Sequence, residues 1–323
     1  MRDLHPNPVD SDALEEIRLR LRKRFMTSGA GAILRRKMGQ SLDYRDHRSY
    51  NLGDDVRHVD WRASARHGGE RDFLVRSFEA EEQFLMLVVV DASATMRAGL
   101  EDEGRVSKLE VALWLVETLS VIAMRENIAI AFAALDGRSG MGRPVFVQGG
   151  QIEAQGLEFK TRLLSLKAPE PGCEVDIAPV LHGLKQSSVT VLISDFYRTG
   201  TDKSALQEAI QLASRGFRQV VVCELDSWPA ERAILAREIV SLAAVGGIAA
   251  RKGEFQASGR ELRQADAAIL QQRQSFMEVL HLGGVIHFPW DLPQEGDVRA
   301  VADDYRVKLN DFLLRSELFG RSV

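Results

Sequence analysis

The stretch "FLMLVVVDASATM", residues 84–96, sets an unbroken apolar run against a carboxylate and two hydroxyls. Seven consecutive apolar residues without polar alternation are the pattern of a parallel strand buried on both faces. The run ends on Asp91, and Ser93 and Thr95 occupy the next two alternate positions. In an extended turn, alternate side chains point the same way, so a carboxylate and two hydroxyls converge. Two chemistries use such a set. One is the capped N-terminus of a helix. The other is a hard divalent cation such as Mg²⁺, which takes one or two carboxylates and keeps several waters. The spacing alone is compatible with both.

Outward from this stretch the texture is α/β. "SKLEVALWLVETLSVIAMREN" (107–127) predicts a long helix that is apolar almost all round, with Ser107 and Glu110 in a capping-box pattern. "IAIAFAAL" (128–135), "VTVLIS" (189–194) and "QVVVCEL" (219–225) predict three more core strands, and "RPVFVQ" (143–148) a short edge strand. Helices are expected near 155–166, 176–186 and 202–215. A hairpin or irregular excursion is expected at 237–256, then a helix near 258–281, a strand at "GVIHFP" and a last helix at 296–318. Strands alternating with helices imply a doubly wound, mostly parallel sheet with helices on both faces.

The N-terminal quarter differs. Residues 12–26 place Leu14, Ile17, Leu21 and Phe25 near one helical face, with arginines off it, which predicts a helix packed on protein. Residues 27–80 are polar and Gly-punctuated, with charges of both signs, until "RDFLVRSF" alternates like an edge strand. That segment is too polar to hold a core of its own and is expected to be an extension. The organisation that follows is an extension over 1–80 and an α/β domain over 81–323.

Composition bounds the function. The 323 residues carry a net charge of −4, which argues against nucleic acid as the main partner. Cys173 and Cys223 form no CxxC pair, so free thiols in a reducing compartment are expected. The first 25 residues have no apolar core of a signal peptide, and no apolar run reaches the ~20 residues of a membrane span. A cytoplasmic protein without an integral membrane segment is the expectation. No GxxxxGK[ST], HExxH or GxSxG motif is present, and the seven histidines show no zinc-pair spacing. An enzyme is therefore not expected.

Ligands of open α/β sheets bind beyond the carboxyl ends of the strands. Asp91, Asp136, Asp195 and Asp226 each follow a predicted core strand. Asp136 in "LDGRSG" and Asp226 in "LDSWPA" read as turn formers. Asp91 stands apart because of its hydroxyl companions.

"DASAT" resembles the D-x-S-x-S/T signature of von Willebrand factor A domains, where it ends the first core strand and forms a metal-ion-dependent adhesion site. "LISDF" resembles the second acidic loop of that family. The resemblance implies a von Willebrand A-like fold and an Mg²⁺ held by Asp91, Ser93, Thr95 and Asp195. The family's third loop usually supplies a Thr from a "GGTD"-like sequence. Here "PGCEVDIAPVL" puts Val175 at that position, flanked by Glu174 and Asp176. Asp176 either replaces the hydroxyl as a ligand or caps the following helix, and the cap is the preferred reading.

"RSYNLGDDVRHVDWRASAR" (48–66) followed by "FLVRSFEAEE" resembles the Y-x-x-G-D-x-x-R-x-I-D-W-x-x-S-A-R signature of the bacterial domain-of-unknown-function-58 family. Members resemble von Willebrand A proteins, and their genes commonly accompany MoxR-type AAA+ ATPases. The resemblance implies an adaptor that presents a client protein to such an ATPase. Within the signature Asp54, Asp55 and Asp60 alternate with Arg57, Arg62 and Arg66 around Trp61. One reading is a docking surface, since Trp and Arg are enriched at interface hot spots. The other, preferred, is an internal ion-pair network that clamps the segment around a Trp anchor. The alternatives to an adaptor are a metal-dependent phosphoester hydrolase using strand-end carboxylates and a metal-free scaffold.

Overall fold

The computed structural model describes residues 4–10, 12–16, 36–50, 59–66, 73–81, 85–93, 95–97, 104–135, 145–166, 188–197, 219–237, 240–242, 253–283, 285–293 and 297–316. In chain order the elements are β1 (Arg36–Ser49), α1 (Trp61–Arg66), β2 (Leu74–Glu81), β3 (Leu85–Asp91), α2 (Lys108–Arg125), β4 (Ala129–Leu135), α3 (Gln151–Ser165), β5 (Ser188–Ser194), β6 (Gln219–Asp226), α4 (Trp228–Arg237), β7 (Val240–Leu242), β8 (Gly253–Phe255), α5 (Gly259–Gly283), β9 (Ile286–Asp291) and α6 (Val298–Arg315). They divide into two units, Met1–Gly31 with Leu85–Val323, and Ala32–Phe84. The first 31 residues thus group with the α/β unit rather than with the family-signature segment.

The larger unit holds a five-stranded sheet in the order β4-β3-β5-β6-β9. All four pairings are parallel, as the continuous apolar runs predict. Residues side by side on adjacent parallel strands share a face, and successive residues alternate. Leu87, Val89, Leu192, Val220 and Val222 therefore line one face, where they cluster with Phe276 and Leu280 of α5. Cys223, Phe288 and Trp290 line the other. There Trp290 stacks on Tyr305 and Phe288 meets Phe312 edge-on, both from α6. Helices cover both faces, so the sheet is doubly wound. Every residue of β3 is buried, which is why its sequence shows no polar alternation.

Helix α2 opens on Ser107, and the full capping box with Glu110 is formed. Its near-complete burial follows from neighbours on several sides. Trp114 meets Tyr305 of α6, and Gly156 of α3 lies beside Ser120. The N-terminal segment lies along α2 as well: Asn7 donates to the Trp114 carbonyl, and Trp114 Nε1 donates to the His5 carbonyl. Truncating a fully buried residue here, such as Leu113, costs about 2–5 kcal/mol. The helix stops at Arg125, and Asn127 takes a left-handed φ of 53°, a conformation Asn tolerates. Cys223 is a buried free thiol whose pKa burial pushes up.

Some expectations need correction. Of the edge strand expected at 143–148, the described residues 145–148 hold only a single antiparallel bridge from Val147 to Ile130. Trp228, Pro229 and Ala230 of "LDSWPA", expected in a turn, open the helix α4. The predicted helices at 176–186 and 202–215 lie outside the described residues, as does 17–26 of the N-terminal helix. Residues 12–16 are helical, capped by Asp10, whose carboxylate accepts from Ala13 N at 2.8 Å.

The smaller unit is an antiparallel hairpin of β1 and β2, with register shifts between Met38 and Asp43 and between Tyr44 and Asp46. β2 is the alternating strand expected at "RDFLVRSF", whereas β1 lies in the polar, Gly-punctuated stretch for which no strand is expected. Its sequence, "RKMGQSLDYRDHRS", has no apolar alternation to reveal it. The pairing runs through backbone groups, which any residue but proline supplies.

Candidate metal centre

β3 and β5 are neighbours, and the next strand in the chain, β4 after β3 and β6 after β5, lies on opposite flanks of this pair, which makes it the topological switch point where such folds bind ligands. Asp91 ends β3. Its Oδ1 accepts from Ser93 N at 2.8 Å, so the loop turns back on its own carboxylate. Its Oδ2 accepts from Ser194 Oγ at 2.6 Å, across the two strands. Ser93 Oγ and Thr95 Oγ1 lie 2.9 Å apart. Thr95 Oγ1 donates to Asp195 Oδ1 at 3.2 Å, joining loops 100 residues apart in the chain. The structure therefore brings Asp91, Ser93, Thr95 and Asp195 together.

The setting is low in solvent. Asp91, Ser93, Ser194 and Asp195 are all buried. Burial and the nearby Asp195 carboxylate push the Asp91 pKa up to about 6, against hydrogen bonds from Ser194 and Ser93 that lower it. A buried carboxylate pair that resists double ionisation favours an added cation. The oxygens on offer are hard donors, as Mg²⁺ requires. The donor set fits a divalent ion, which would rest on Asp91, Ser93, Thr95 and Asp195.

One resident charge was not legible in advance. Lys108, the first residue of α2, is 2% exposed, with Nζ 2.8 Å from Asp195 Oδ2 and 3.1 Å from Glu231 Oε1. The Asp195 contact is off the line of a hydrogen bond and acts as an ion pair. Burial opposes the ammonium, yet Asp195 and Glu231 hold its pKa above the ordinary lysine value. Nζ also stands 4.4 Å from the centre of the Tyr197 ring. The sequence signal was a lysine in the first turn of a helix, where the macrodipole favours acids.

Next along the edge, Asp226 is more than a turn former. It accepts from Tyr197 OH at 2.7 Å and from Trp228 N at 2.9 Å, and it pairs with Arg273 of α5. Burial and Asp226 push the Tyr197 pKa up. Arg273 Nε also lies 3.2 Å from Glu224, whose other oxygen is 2.8 Å from His287 Nε2. Between the pairs, Phe196 holds a left-handed φ of 51°, with its ring stacked on Phe276 at 4.2 Å and its carbonyl accepting from Gln272. Such a backbone costs a bulky residue energy and is held by its surroundings. Among the described residues, no three of His, Cys, Asp and Glu form a metal-holding group. Asp136, Glu174, Val175 and Asp176 lie outside the described residues.

In the signature segment Asp60 is a helix cap: its Oδ1 accepts from Arg62 N at 3.1 Å and Ala63 N at 3.0 Å. The buried Ser64, passed over in the sequence, donates to the Asp60 carbonyl and accepts from Leu74 N, tying α1 to β2. Trp61 is 62% exposed and meets Phe73 edge-on at 5.6 Å, so it is not a buried anchor. Among the described residues here, the buried side chains are those of Val59, Ser64 and Val75. Arg62 and Arg66 are exposed, and Asp54, Asp55 and Arg57 lie outside the described residues.

Residues 46–227 match the family model described as "Protein of unknown function DUF58". The chain belongs to the DUF58 family. No curated protein matches it. The matched span of this DUF58 chain holds β3, α2, β5 and β6, and so Asp91, Lys108, Asp195 and Asp226.

Proposed function

We propose that the chain is a non-enzymatic interaction module in which Asp91, Ser93, Thr95 and Asp195 hold a divalent cation, Mg²⁺ first, whose open position takes a carboxylate of a partner protein. The observation that carries this reading is the convergence of the two loops at the switch point, through Thr95 Oγ1 and Asp195 Oδ1 at 3.2 Å. The family resemblance supplies the partner to test: a MoxR-type AAA+ ATPase, with this chain as the cytoplasmic adaptor that brings a client for maturation or remodelling. Among the described residues no helix is long and apolar enough to cross a membrane.

A second reading draws on Lys108. An ammonium already 2.8 Å from Asp195 favours a metal-free scaffold in which the centre is an internal ion pair. The phosphoester-hydrolase alternative calls for more carboxylates at one point than the described residues bring together.

The test is binding of the purified ATPase from the same organism to the full chain, in Mg²⁺, in EDTA, and with Asp91→Ala. Binding confined to wild type in Mg²⁺ is the expected result. Equal binding in all three arms leaves the scaffold reading standing. Mg²⁺-dependent turnover of a generic phosphoester, lost in Asp91→Ala, replaces the adaptor with an enzyme.

A further inference from the structure

We propose that Lys108 is the resident cation of the centre, a tethered ammonium that a divalent ion must displace from Asp195, so that Lys108 sets how tightly the ion binds. The proposal rests on the metal reading above.

A lysine is a costly choice at this position. The N-terminus of α2 carries the positive end of the helix dipole, which favours acids rather than bases. At 2% exposure the ammonium has lost nearly all its water, and a buried charge is tolerated only when paired. Helix formation does not require it, since Ser107 and Glu110 already cap the start of α2. Its partners lie elsewhere in the fold: Asp195 follows β5, and Glu231 is on α4.

Those partners differ in a way that matters. Asp195 is 1% exposed and also accepts from Thr95, whereas Glu231 is 35% exposed and lies toward solvent. The lysine stem is long and flexible. When another cation takes Asp195, the ammonium retains Glu231, a carboxylate further supported by Ser227 Oγ.

The probe is Mn²⁺, with the free ion followed by electron paramagnetic resonance at fixed ionic strength on the full chain. Wild type is compared with Lys108→Met, Lys108→Gln, Glu231→Gln and the double variant Lys108→Met/Glu231→Gln. Removing the ammonium is expected to tighten Mn²⁺ binding at least tenfold in either Lys108 variant. Glu231→Gln is expected to weaken it several-fold, because the displaced ammonium loses its second partner. That loss vanishes in the double variant if Glu231 acts through Lys108, and persists if Glu231 acts on the ion directly. Circular dichroism confirms folding; should both Lys108 variants fail to fold, Glu231→Gln binding Mn²⁺ no more weakly than wild type overturns the inference. Wild type and Lys108→Met binding Mn²⁺ equally, or the variant binding more weakly, overturns this inference and leaves the metal reading intact. No Mn²⁺ binding by wild type or any folded variant overturns both.

Discussion

Of Asp91 and Asp195, it is Asp195 that pairs with the Lys108 ammonium, whereas Glu224 and Asp226, one strand further along the same sheet edge, face a guanidinium and an imidazole. Both pairs are buried and both stand at carboxyl ends of parallel strands. The second pair is matched group for group. Arg273 reaches both carboxylates, His287 takes the free side of Glu224, and Tyr197 and Trp228 donate to Asp226. The first pair shares its ammonium with a third carboxylate, Glu231, and its Asp91 is pushed up toward neutrality at about pH 6. Acids in the same position on one sheet edge thus divide into a pair that locks α5 to β6 and a pair still short of positive charge. The difference lies in what the opposing elements bring, not in the acids.

The comparison breaks most directly at Asp195. Asp195→Ala removes one carboxylate and strips the buried Lys108 of its interior partner. We expect a loss of about 3–5 kcal/mol in urea unfolding, together with loss of any Mg²⁺-induced rise in Tm. Arg273→Ala strikes the matched pair and leaves Glu224 and Asp226 buried against one remaining imidazole. Because Arg273 is partly exposed, the expected loss is smaller, about 2–3 kcal/mol, and the Mg²⁺ response is unchanged. If both variants abolish the Mg²⁺ response, the two pairs are one site and the distinction fails.

A third effect sharpens the contrast through pH. The folded pKa of Asp91, about 6, lies above its ordinary 3.8. Its protonation therefore stabilises the metal-free fold: the contribution is fully present below about 3.8 and is lost as pH rises through about 6. Between pH 7 and pH 4.5 this group adds on the order of 1–2 kcal/mol. The measurement is the difference in unfolding free energy between wild type and Asp91→Asn in EDTA across that window. Saturating Mg²⁺ should oppose this trend, raising wild type relative to Asp91→Asn at pH 7, since a bound ion favours the carboxylate. The smallest effect lies outside both pairs: Asp60→Ala removes the cap of α1 and should cost about 1 kcal/mol. A hydrogen-exchange comparison should confine that loss to residues near 60–75, with the Mg²⁺ response intact.

The inner strands were legible because burial on both faces leaves a long apolar run, as in 85–90, whereas the outer strand β9 is only half buried. Asp91 and Asp195 were legible because strand ends in such sheets share an edge. The hairpin strand β1 was hidden because its ladder is a backbone matter and its sequence mixes charge with glycine. Helix α4 was hidden for another reason. Asp226, Ser227 and Pro229 form turns, but the same residue types open helices, and here Ser227 leads into Trp228–Arg237. Lys108 was illegible as a site residue because Asp195 and Glu231 reach it only through the tertiary fold; Glu231 is 123 positions away. Trp61 was misjudged because a large aromatic in a signature reads as an anchor, and nothing local reports its 62% exposure.

The sheet face formed by Cys223, Leu225, Phe288 and Trp290 is covered by α6, nearly the last element described. Tyr305 of that helix hydrogen-bonds Thr118, and Arg306 donates to the Pro8 carbonyl, 298 residues upstream. On the ribosome, a chain translated through β6 already carries Asp91, Lys108, Asp195 and Asp226, yet its sheet lacks an outer strand and the cover of one face. Contacts of such long range close slowly, and chains growing at about 5–20 residues per second wait seconds for them. The nascent chain therefore leaves the outer part of that apolar face uncovered until β9 and α6 follow, and this interval exposes it to aggregation and to chaperones.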